Sequence, residues 1–154
     1  MEQVYKEIDL ILDNSNYLYV SKKLIEVYYL IGKLLSNKNY NEVHKTEQIL
    51  REKYGLTVGF SRRNILNMIK FYEIYQNYNI DDLVNISWNK HLLIMKQNNH
   101  EEYIKLCNKY NISKNDLEKI IKKGFDEKYI SKNIIEDDAM TNEFISLKKH
   151  SQFQ

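Results

Sequence analysis

The sequence predicts an all-α protein, and three observations carry that prediction. The 154 residues contain no proline and only four glycines, so little in the chain breaks a helix. Apolar residues recur every three or four positions along most of the length, the spacing that lines one face of a helix. Polar–apolar alternation, the mark of a half-buried strand, is scarce. The length suits one domain with a real core, and we place a single compact multi-helix domain at residues 1–138.

The elements follow in order. Val4, Ile8, Ile11 and Leu12 predict a first helix, which the polar run Asp13-Asn14-Ser15-Asn16 interrupts. From about Tyr17, Val20, Leu24, Val27, Ile31, Leu34 and Leu35 form a longer stripe ending at Ser36-Asn37-Lys38-Asn39, so the first two helices make an antiparallel hairpin. Tyr28 and Tyr29 widen that stripe, either as core or as a surface for a partner. A third helix spans about Asn41 to Tyr54, with Val43, Leu50 and Tyr54 inward and Gly55 as a left-handed cap.

Gly59 and the N-cap Ser61 then open a helix running to Tyr75. Ile65, Met68, Ile69, Tyr72 and Tyr75 share one face, and Arg63, Asn67 and Lys70 the opposite one. Helix, glycine-containing turn and helix give the outline of a helix-turn-helix, with a turn longer than the usual three or four residues. Asp81-Asp82-Leu83-Val84 predicts a short helical turn, and Ser87 caps a helix to Lys96 with Trp88 as a core anchor. Glu101 to Tyr110 forms another helix with Tyr103, Ile104 and Cys107 inward. Ser113 caps the next, which faces Leu117, Ile120 and Ile121 inward and stops at Gly124. Residues 139–154 lack an apolar face and are expected to fray.

Several function classes are disfavoured. The net charge of +2 is too weak to mark a nucleic-acid binder by itself, so only local clustering counts. Cys107 is the sole cysteine, which excludes an intramolecular disulfide framework and fits a reducing cytosol. Met1 to Lys6 lacks a secretory leader pattern and no window reaches membrane-spanning length, so a cytoplasmic protein without membrane partners is expected. His44, His91, His100 and His150 lack metal-ligand spacing, so neither a metal nor another cofactor is expected. Phosphate loops and nucleophile elbows are missing. Asp126-Glu127-Lys128 spells a (D/E)xK string, but in a helical context without strands, so catalysis by this chain is not expected.

The face of Arg63, Asn67 and Lys70 is the candidate site. Arginine and asparagine make bidentate contacts to guanine and adenine edges, and a helix N-terminus favours phosphate. The same face is also what any solvated amphipathic helix presents. In the DNA reading, Arg62 and Asn64 flank these residues at the helix start, while Lys90 and Lys96 add backbone contacts. The rival reading is a protein-interaction module that docks on a partner through Tyr28, Tyr29 and Trp88. A homodimer would suit a palindromic site.

The motif order resembles a known family. Tyr28-Tyr29-Leu30-Ile31-Gly32, Tyr54-Gly55, Gly59-Phe60-Ser61-Arg62-Arg63-Asn64-Ile65 with Met68 and Phe71-Tyr72, Ile86-Ser87-Trp88 with Leu92-Leu93, and Ile112-Ser113 with Leu117-Glu118-Lys119-Ile120 carry it. Together, over residues 17–130, they resemble the N-terminal domain of the YhcG family. That resemblance implies a helical domain usually fused to a PD-(D/E)xK nuclease and associated with bacterial restriction and mobile-element defence; in the rival reading it implies a phage- or mobile-element-encoded module that docks on such a defence nuclease complex or inhibits it. The nuclease core itself is not found in this chain. The same blocks distantly resemble the ParB-type helix-turn-helix. That likeness implies that the Ser61 helix reads duplex DNA and the segment from Thr46 to Tyr54 supports it.

Overall fold

Short polar side chains start the helices. Asn39 Oδ1 accepts from the Glu42 amide at 2.9 Å, Ser61 Oγ from Asn64 at 3.2 Å, and Ser113 Oγ from Asp116 at 3.1 Å. Each satisfies a backbone donor that the first helical turn leaves unpaired. The structure is a computed structural model that describes residues 2–15, 21–55 and 59–124. Among them the order is α1 (Glu2–Ser15), α2 (Ser21–Leu35), α3 (Tyr40–Tyr54), α4 (Arg62–Tyr75), a 3-10 turn (Ile80–Asp82), α5 (Trp88–Met95), α6 (His100–Lys109) and α7 (Lys114–Lys123). Every regular element among the described residues is a helix, as the composition and periodicity predict.

The chain divides into two compact units after His100. In the first unit, α4 packs most extensively on α2 and also meets α3 and α5, while α1 lies against α2 and α3. The pairing of α3 with α4 that a helix-turn-helix outline suggests is therefore present, but α2 is the main support of α4. Gly32 explains how close that support is. A Cβ at this position would stand 2.0 Å from the Met68 carbonyl oxygen, so only hydrogen fits between the two helices. Val4, Ile8, Leu12, Val27, Ile31, Leu35, Leu50, Ile65 and Met68 fill the core between α1, α2, α3 and α4. Asp9 on α1 accepts from Lys53 and Tyr54 on α3, and the bond from Lys53 above all holds its carboxyl below the usual range.

In the second unit, α6 buries Tyr103, Ile104 and Leu106, and α7 buries Leu117 and Ile120.

Some expected details differ. α1 runs through Ser15 instead of stopping at Asp13, because polar residues end a helix only when the backbone gains something by leaving it. Gly55 has φ 84° and ψ 168°, a positive-φ extended conformation and not a left-handed helical cap. Phe71 is fully buried although ideal angular spacing leaves it off the predicted inner face, because α4 is covered by both α2 and α5 and its buried arc is wide. Cys107 and Ile121 are half-buried, with Leu106 taking the inward place beside Ile104. The expected fraying tail, 139–154, lies outside the described residues, as do Asp126-Glu127-Lys128 and His150.

Candidate functional site

The sharp entry into α4 is built by one asparagine. The Asn64 side chain donates from Nδ2 to the Gly59 carbonyl at 2.7 Å and accepts at Oδ1 from the Trp88 indole N–H at 2.8 Å. It thus locks the turn before α4 to the first residue of α5. Gly59 has φ 92°, and a Cβ there would lie 2.3 Å from the Tyr28 hydroxyl oxygen, so both backbone and space require glycine. Tyr28 is itself buried, with its ring edge-on to Trp88 at 4.8 Å. Phe71 continues the stack, 5.3 Å from Trp88 and 4.7 Å from the His91 ring.

His91 seats α5 from below. Its Nε2 lies 2.8 Å from the Leu83 carbonyl, which makes Nε2–H the donor, and Nδ1 is buried with no hydrogen-bond partner among the described residues. Burial pushes the imidazole down to about 4, with the bond to Leu83 opposing that shift. The ring is therefore neutral at pH 7 and serves packing, not charge.

On this scaffold, α4 and the end of α5 enclose a groove of about 280 Å³ lined by Arg63, Asn67, Lys70, Leu92, Met95 and Lys96, with Ser61 and Asn64 at its head. Arg63, Lys70 and Lys96 are exposed and Asn67 is half-buried. None of these four has an ion pair or side-chain hydrogen bond among the described residues. The remaining predicted contacts are placed otherwise. Lys90 lies on the first turn of α5 and does not line the groove. Asn64 is occupied by its bracket. Arg62 turns to the neighbouring face, where its Nε lies 3.3 Å from Glu47 Oε1 and its guanidinium covers the Tyr40 ring at 5.4 Å.

Glu47 is a feature the sequence reading missed. Its carboxylate is almost wholly buried, yet it meets His44 at 3.1 Å, Arg51 at 3.5 Å and Arg62 at 3.3 Å. A buried carboxylate needs such partners. His44 and Arg51 were legible at helical spacing from Glu47, but Arg62 arrives only through the tertiary fold.

Residues 12–128 match the DUF1016 N-terminal domain. The chain belongs to that family. The DUF1016 N-terminal domain corresponds to the YhcG N-terminal domain, so the resemblance read from the motifs holds. The ParB likeness receives no support from this match. The groove residues and the Asn64–Trp88 bracket all fall within the matched DUF1016 span. No curated protein and no solved structure matches the chain. Among the described residues, no group of histidine, cysteine and carboxylate side chains is placed to hold a metal, and no helix is long and apolar enough to cross a membrane.

Proposed function

We propose that the chain is a non-catalytic DNA-recognition module that meets duplex DNA through the groove between α4 and α5. One observation carries this reading: Arg63, Asn67, Lys70 and Lys96 converge on a single face with no side-chain partner among the described residues, whereas their neighbour Asn64 is held by Gly59 and Trp88 and Arg62 is turned to Glu47. Cations gathered on one side of a chain with net charge +2, unpaired among the described residues, create a local positive field that the overall charge conceals. Asn67 lies between the cations of α4, where it offers an adenine-type bidentate contact while Arg63 and Lys70 meet guanine edges or phosphates. Leu92 and Met95 supply an apolar floor suited to sugars or thymine methyl groups. In cells we read the module as the recognition partner of a bacterial restriction or defence nuclease, of the kind the YhcG resemblance implies.

Of the rival surface, Tyr28 is buried and the Trp88 N–H bonds Asn64, while Tyr29 and the Trp88 ring are half-buried. The test is an anisotropy titration on labelled duplex. An Arg63→Glu, Lys70→Glu double variant should keep its helical spectrum and lose binding. Binding that is indifferent to this reversal removes the groove as the reader.

A further inference from the structure

A second face of α4 carries a pattern that the DNA reading does not use. Arg62, Leu66, Ile69 and Glu73 follow one another at steps of four, three and four residues, which places them in one stripe along the helix, adjacent to that of Arg63, Asn67 and Lys70. Leu66 is 47% exposed, and Tyr40, 64% exposed, stands over Arg62 at the end of the stripe. Beside it lies a groove of about 220 Å³ whose apolar lining includes Leu35, Val43 and Ile69.

Read backwards, the stripe runs Glu73, Ile69, Leu66, Arg62. Laid antiparallel against itself it therefore sets Arg62 against Glu73 and Leu66 against Ile69, and both pairs recur on the other side of the axis. Two-fold interfaces require this self-complementarity, because one patch must serve as both halves. A single-sign patch could not provide it. Arg62 is suited to its place: Nε is held by Glu47 and Nη2 points at His44, which fixes the guanidinium plane and leaves Nη1 without a partner among the described residues.

We propose that this face binds a second copy of the chain, α4 antiparallel to α4 across a two-fold axis between residues 67 and 68. Leu66 of each copy enters the apolar groove of the other, with Tyr40 covering the edge, and the Arg62–Glu73 pairs fix the register. The basic stripe lies on the neighbouring face, so pairing and DNA binding use different side chains.

Sedimentation velocity on the full chain across a dilution series tests the proposal. The native chain should pass from dimer to monomer on dilution. Leu66→Glu and Glu73→Arg are both exposed changes that leave folding intact by circular dichroism. Each should raise the dissociation constant by about tenfold or more, since each acts twice per dimer. Lys70→Glu, on the other stripe, should leave it unchanged. A monomer at every concentration, a dimer untouched by the first two variants, or one weakened as much by Lys70→Glu would overturn the proposal.

Discussion

His91 shows how one residue couples burial to pH. Its folded pKa of about 4 lies below the ordinary histidine value of 6.5, so between those limits the unfolded chain binds the proton and the folded chain does not. The stability gained by keeping the ring neutral is thus complete above pH 6.5 and is lost as the pH falls toward 4. The shift corresponds to about 3 kcal/mol. Urea unfolding at a series of pH values should show this decline in the native chain, and His91→Gln should flatten it. An unchanged slope in the variant would place the sensitivity elsewhere. Asn64 and Asn67 give the complementary residue-scale contrast. Asn64→Ala strands the Trp88 N–H and the turn before α4, at about 1 to 3 kcal/mol, whereas Asn67→Ala should change stability by no more than about 0.5 kcal/mol. Helical spacing separates the positions of these two asparagines but not what Asn64 holds. The difference lies in Trp88, 24 positions downstream of Asn64, which only the folded chain brings within reach.

At the scale of elements, the helices were legible because their signals are local. Caps such as Ser61 and Ser113 act within three residues, and apolar spacing repeats every turn. What escaped was the context of each helix. Phe71 became core because α5 covers a side of α4 that spacing alone assigns to neither face. Leu66 and the Glu47–Arg62 pair escaped for the same reason, since each is defined by what α3 and α4 bring together. The α2–α4 crossing yields a prediction against propensity. In an isolated helix Gly32→Ala would stabilise by about 1 kcal/mol. Here the new methyl group meets the Met68 carbonyl, so thermal denaturation should show a loss of about 1 to 3 kcal/mol. Met68→Ala should cost about 2 to 5 kcal/mol by leaving a cavity at the same crossing. A Gly32→Ala variant more stable than the native chain would mean that the helices do not cross so closely.

At the scale of the whole molecule, a helical scaffold of the DUF1016 N-terminal family carries a basic groove on one face of α4 and a self-complementary stripe on the next. Side-by-side α4 helices would lie about 8 to 10 Å apart, far less than the roughly 34 Å that separates half-sites in successive major grooves. Footprinting of a dimer should therefore show one continuous protected patch and not two separated half-sites. The central claim is that Arg63, Lys70 and Lys96 meet phosphates or bases, and the salt dependence of binding tests it most directly. Each phosphate neutralised contributes about 0.9 to the slope of log affinity against log salt, so three cations that all meet phosphates set a slope of about −3 for each chain bound. Single replacements of Arg63, Lys70 or Lys96 by alanine should each reduce its magnitude by about 0.9, and the triple variant should bring it near zero. A steep slope that survives the triple variant, or no measurable duplex binding by the native chain at low salt, would contradict the account.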